Sequence, residues 1–223
     1  MEANFTKYIV SKLNALGVCN EELDDNSLEN ILHIFRECQN CQKGLDQIFQ
    51  TAAKSGNFPV CKFMLQNMGN PNPADEDKVT AFHYAAENGH WEICCLIIKY
   101  LKHKNPGDVR GFTPLHLAAQ NGHLKICQLI LGNVDDKNPK AFFGWTPLDL
   151  AAQNGQMEIC KLFLESITEK NPANMCGQTP KSLAIENDHE EIGELIDDAM
   201  KEFPQEFPQE FQWPTVQRIR LFG

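Results

Sequence analysis

One period governs this chain. Thr80-Ala81-Phe82-His83, Thr113-Pro114-Leu115-His116, Thr146-Pro147-Leu148-Asp149 and Thr179-Pro180-Lys181-Ser182 each follow the previous segment by 33 residues. The same step relates Ala85-Ala86, Ala118-Ala119 and Ala151-Ala152, then Gly89, Gly122 and Gly155, then Asn105-Pro106, Asn138-Pro139 and Asn171-Pro172. One step further back lie Ala52-Ala53, Gly56 and Asn72-Pro73, a fifth and degenerate unit. Units this short cannot bury an apolar face alone, so neighbours must stack and the product is a solenoid.

Each unit reads as two short helices. Thr113 is an N-cap and Pro114 suits a first helical turn, where its missing N–H costs nothing. Ala118 and Ala119 allow close approach to the next unit, and Gly122 suits a left-handed helix terminus. Ile126, Leu129, Ile130 and Leu131 then supply the apolar face of a second helix. With Gly111-Phe112-Thr113-Pro114-Leu115-His116-Leu117-Ala118-Ala119 and Asn121-Gly122-His123, the pattern resembles the ankyrin-repeat family over roughly residues 45 to 198. That resemblance implies an all-α solenoid of helix-turn-helix units with β-hairpin fingers. The expected units are 46–74, 75–107, 108–140, 141–173 and 174–200.

The ends depart from the period, as end units must when one face meets water. The last unit has Asp188 in the glycine slot and Glu190, Glu191, Glu194, Asp197 and Asp198 on its second helix. The first unit lacks the Thr-Pro start. In residues 1–45, Phe5, Tyr8, Ile9, Leu13 and Leu16 form one stripe, and Leu28, Ile31, Leu32, Phe35 and Cys38 another. They predict an N-terminal helical cap; the alternative is a separate small interaction domain.

A net charge of -10, from 30 acids against 20 bases, argues against nucleic acid as partner and favours a protein with a basic segment. With Glu2 early and no apolar h-region, no secretory signal is expected. The longest apolar run, Ile93 to Ile98, is too short for membrane insertion, which needs about 20 residues. The chain is expected to be intracellular: cytoplasmic, with the nucleus as an alternative.

Four of the nine cysteines, Cys61, Cys94, Cys127 and Cys160, recur at one point of the unit and read as small buried apolar side chains. Cys38-Gln39-Asn40-Cys41 is a lone CxxC with His33 and Cys19 as the nearest further ligands, too little for a tetrahedral zinc site. His83, His116, His90 and His123 belong to the repeat, where the resemblance implies bonds from one unit's loop to the next. No nucleophile stands beside them, and no phosphate loop, HExxH or dinucleotide fingerprint occurs. No enzyme, metal or cofactor is expected.

Recognition should then use positions the repeat leaves free, which the resemblance places at fingertips and exposed first-helix residues lining a groove. These are Val79, Val109, Arg110, Phe112, Phe142, Phe143, Trp145, Met175 and Gln178 on the fingers, and Glu87, Gln120 and Gln153 on the helices. Phe112, Phe142, Phe143 and Trp145 predict a cluster of four rings, and such rings anchor interfaces. Two fingers break the pattern: Ala141 replaces the usual aspartate and Lys78 the turn glycine. After residue 200 the chain reads Phe203-Pro204-Gln205-Glu206-Phe207-Pro208-Gln209-Glu210-Phe211, then Trp213, Arg218 and Arg220. Its prolines exclude a regular helix and favour an extended course. Phe203, Phe207, Phe211 and Trp213 make 201–223 a candidate docking peptide, for another protein or for the chain's own groove. The favoured function is a scaffold or adaptor, monomeric, binding a protein through fingertips and groove. The alternatives are a stoichiometric inhibitor of a Rel-type transcription factor, and a regulatory subunit or cytoplasmic part of a larger enzyme or channel assembly.

Overall fold

The computed structural model describes residues 42–202. The stripes of residues 1–41, the CxxC and the aromatic tail from Phe203 onward lie outside the described residues. Among the described residues ten α-helices form five pairs: α1 (Gln42–Ser55) with α2 (Phe58–Asn67), α3 (Ala81–Glu87) with α4 (Trp91–Tyr100), α5 (Pro114–Gln120) with α6 (Leu124–Leu131), α7 (Pro147–Gln153) with α8 (Met157–Ser166), and α9 (Pro180–Glu186) with α10 (Glu190–Glu202). First helices pack on first helices and second on second, giving two layers along one stack. A continuous apolar cluster between the layers runs from Ile48 to Ile196, with Cys61, Cys94, Cys127 and Cys160 fully buried in it. The helix α1 begins before the unit edge expected at residue 46, and α10 continues through Glu202.

Seven-residue helices do not persist alone; here their ends are secured by the repeated residues. Thr80, Thr113, Thr146 and Thr179 each close a capping box with the residue three further on. Asn72, Asn105, Asn138 and Asn171 each accept the backbone N–H of a residue ten positions later, at 3.4, 3.1, 3.4 and 3.0 Å, tying the linker to the next first helix. A third periodic contact comes from Lys104, Lys137 and Lys170. Their ammonium groups donate to the carbonyls of Ile98, Leu131 and Leu164, near the negative end of each second helix.

The turn glycines meet two demands. Gly89 and Gly122 sit at φ +78° and +80°, which any side chain resists. A Cβ on Gly89 would also lie 2.6 Å from the His123 ring, and one on Gly122 2.6 Å from the Gln156 amide. The intruding His123 donates through Nε2 to the Glu87 carbonyl at 2.9 Å, and His90 does the same to Lys54 at 3.0 Å. At the other end of the unit, His83 and His116 donate to the carbonyls of Phe112 and Trp145, at 3.1 and 3.2 Å. The inter-unit role implied for these histidines is thus realised. Asp188 takes φ +62° in the last unit.

The fingers are narrower than the expected β-hairpins. Each closes with one short pair of backbone bonds, as Asp108 N to Phe112 O and Gly111 N to Asp108 O, and no strand ladder forms among the described residues. The bridge Ala74–Thr80 is the isolated pairing there. A four-residue turn leaves no length for a ladder.

Candidate functional site

Neighbouring fingers are joined by single backbone bonds: Val109 N to Asp77 O, Phe142 N to Arg110 O and Met175 N to Phe143 O. The tips at 75–78, 108–111, 141–144 and 174–177 therefore form one row. Aspartate organises the regular fingers. Asp108 Oδ1 accepts the N–H groups of Arg110 and Phe112, both at 2.8 Å, and Asp75 and Asn174 do the same in theirs. Ala141 has no such oxygen, so the third finger closes instead as a single 3₁₀ turn over Phe142–Gly144. That turn puts Phe143 at φ +56°, followed by Gly144 at +78°. A phenylalanine in the left-handed region is strained, at about 1–2 kcal/mol. The first finger keeps its shape, with Lys78 at φ +59° in place of glycine.

Phe142 and Phe143 stand 59% and 54% exposed, edge to face at 4.4 Å between ring centroids. The expected four-ring cluster does not form. Phe112 is half-buried against its own unit, edge to face with His116 at 5.4 Å and under the Arg110 guanidinium at 5.4 Å. Trp145 is half-buried at the finger base, where its carbonyl holds His116. Those rings pack because they follow the turn rather than form it. Met175 is 81% exposed on the last finger, and Val109 and Arg110 are exposed on the second. Among the described residues, four of the nine exposed large apolar side chains, Val109, Phe142, Phe143 and Met175, lie on three successive fingertips.

The remaining candidates are less free. Val79 and Gln178 are half-buried; the Val79 carbonyl accepts Gln50 Nε2, and Gln178 bonds Glu186 at 3.2 Å. Glu87 and Gln120 are exposed on the groove and Gln153 is half-buried. Phe203, Phe207, Phe211 and Trp213 lie outside the described residues.

Charge is graded along the row. The first finger carries Asp75, Glu76 and Asp77, which with Asp46 and Tyr84 line an open hollow of about 620 Å³. Desolvation, then Asp75, Glu87 and Asp77, raises the Tyr84 phenol pKa, a sign of the negative field there. The hollow escaped the sequence reading because Asp46 is far away in the chain. Also missed were Phe58 and Trp91, partly exposed at the starts of α2 and α4 on the edge opposite the fingers, with Lys125 6.0 Å over the Trp91 ring. The 33-residue step between them was the available signal.

Burial pushes the thiols of Cys61, Cys127 and Cys160 up to about 12 and that of Cys94 further, so they are inert apolar groups at neutral pH. His116 is pulled down to about 4 by burial, and His83 is lowered for the same reason. Each imidazole accepts a threonine N–H at Nδ1, which leaves Nε2 to carry the proton it donates. Asp149 takes the third histidine's place, and burial raises it to about 6. No group of three or more metal-liganding side chains comes together among the described residues. None of their helices is long and apolar enough to cross a membrane.

The comparison with curated proteins gave no match. A family model described as ankyrin repeats matches in three copies, over residues 4–105, 49–141 and 132–202. Stacked pairs of short helices, Thr-Pro starts and glycine turns under the next unit's histidine agree with that match, and the chain belongs to the ankyrin-repeat family.

Proposed function

We propose that this chain, built of ankyrin repeats, which are generally protein–protein interaction modules, is a non-enzymatic adaptor, monomeric and intracellular, that holds one protein partner along its fingertip row. The observation that carries the reading is the third finger. Phe142 and Phe143 are presented to solvent by a turn that keeps Phe143 in a strained conformation. Exposed apolar rings and stored backbone strain both oppose stability, and a binding role is what offsets them. The acidic first finger favours a partner whose matching end is basic. A Rel-type inhibitor is one adaptor of this kind, since it too would engage a basic segment.

The test is capture from native lysate by the intact chain and by a Phe142→Ala, Phe143→Ala variant. Trp145 is left in place because its ring is half-buried at the finger base and its loss would disturb packing. A protein retained by the first and lost by the second, both showing the same circular dichroism, supports the reading. Equal retention moves the partner surface elsewhere, with the Phe58 and Trp91 edge next to be tested.

A further inference from the structure

We propose that the chain's own C-terminal segment, residues 203–223, lies across the fingertip row, running opposite to the repeat order, and masks that row until a partner displaces it. This rests on the fingertip row being the partner surface and concerns the regulation of that surface.

The starting point of the segment is fixed by the fold. Each second helix returns toward the fingers: after α8 ends at Ser166 the chain reaches the last finger at Asn174. The helix α10 runs the same way, with Asp197 bonded to Lys181 at the start of α9, so the described chain ends at Glu202 on the finger edge of the last unit. Packed helices lie about 8–10 Å apart, so the four fingers span roughly 30 Å. Residues 203–223, in the extended course that Pro204, Pro208 and Pro214 favour, reach about 65 Å at about 3.1 Å per residue. The segment is long enough to retrace the whole row.

The order of chemistry fixes the direction. From the last finger to the first, the row reads Met175, then Phe142 with Phe143, then Val109 with Arg110, then Asp75, Glu76 and Asp77. From its start, the segment reads Phe203, Phe207, Phe211 and Trp213, then Arg218 and Arg220. Laid in that direction, the aromatic part follows the apolar fingers and the arginines come last, at and beyond the acidic end of the row, where Asp46 also lines the hollow. The reverse direction sets arginines on Met175 and phenylalanines on three carboxylates. The interval of four between the phenylalanines is about 12 Å in an extended chain, close to the separation of successive fingers.

Cys176 provides a native reporter. It is exposed on the last finger beside Met175, whereas Cys127 is fully buried and answers only to unfolding. Full-length protein, with no partner present, is alkylated with iodoacetamide, and each cysteine is followed by peptide mass. Phe203→Ser, Phe207→Ser, Phe211→Ser forms one variant and Arg218→Glu, Arg220→Glu a second. A segment docked about nine-tenths of the time slows Cys176 alkylation about tenfold relative to the first variant. The second variant is also expected to react faster than the unaltered chain, at a rate independent of protein concentration, with Cys127 unmodified throughout. Equal Cys176 rates in the unaltered chain and the phenylalanine variant overturn the proposal. No effect of charge reversal overturns the direction of the course. A rate that rises on dilution assigns the cover to a second copy and overturns docking within one chain. Because no partner is present, each of these failures leaves the partner reading standing; loss of that reading would show only in the capture experiment.

Discussion

Asp149 sets up a pH dependence whose sign can be worked out in advance. In the two preceding units a histidine stands at this place, accepting the threonine N–H at Nδ1 and donating from Nε2 to the next finger. Asp149 reproduces the first half, since its Oδ2 accepts the N–H and hydroxyl of Thr146, both at 2.8 Å. Its Oδ1 is buried without a partner. An ionised carboxylate there offers an acceptor where the histidines offered a donor. Burial therefore raises its pKa from 3.8 to about 6, against the Thr146 bonds and the charge of Lys140, which favour the ionised form. A displacement of that size is worth about 3 kcal/mol at about 1.36 kcal/mol per pKa unit. The sign follows from the raised pKa: the contribution is fully present below 3.8 and is lost as pH rises through about 6. His83 and His116 run the other way, because burial lowers them; theirs is present above 6.5 and is lost as pH falls, for His116 through about 4. The two effects oppose each other in the unaltered chain, so the readout is a difference. Asp149→Asn removes the aspartate's titration and keeps its shape. Urea unfolding followed by circular dichroism should show the variant gaining about 2.5 kcal/mol over the unaltered chain between pH 4 and pH 7.5. Asp149→His should also restore a donor toward the last finger and give a difference curve that falls at low pH. A flat Asp149→Asn difference across that range would refute the reasoning.

Three further outcomes are expected. Phe143→Gly relieves the left-handed strain and should stabilise the fold by up to about 1 kcal/mol in thermal or urea unfolding, while abolishing partner capture; a loss of stability would deny the strain. Gly89→Ala forces a Cβ into the His123 ring at an unfavourable φ and should cost about 2 kcal/mol in urea unfolding. Lys170→Met strips the cap from the Leu164 and Ile167 carbonyls and should lower stability by about 2 kcal/mol, with faster amide exchange in α9 and α10.

The helices were legible because a 33-residue step repeats every constraint at once, and chance does not restore Thr-Pro, Gly and Asn-Pro together. The threonine N-cap followed from those residues, and the inter-unit histidine bonds from the family resemblance; the capping boxes add the residue three further on. What the period does not carry was read less well. Phe112 and Trp145 fall in free positions by alignment, yet burial of a ring depends on what its own unit places beneath it, here His116 for Phe112. Ala141 was visible as a departure. Its consequence, a second left-handed residue in one turn, depends on where the orphaned N–H groups find acceptors. The acidic hollow needed α1 and the first finger side by side, which no local pattern encodes.

Asp188 bears on how such an array can be lengthened by design. In every earlier unit the equivalent residue is glycine, and the next unit's His90, His123, Gln156 or His189 occupies the space a Cβ would fill. A further unit grafted behind α10 would bring its own histidine to that spot and collide with the Asp188 side chain. Extension by simple duplication is therefore blocked at one carbon atom, and Asp188→Gly is the first change that a longer array would require.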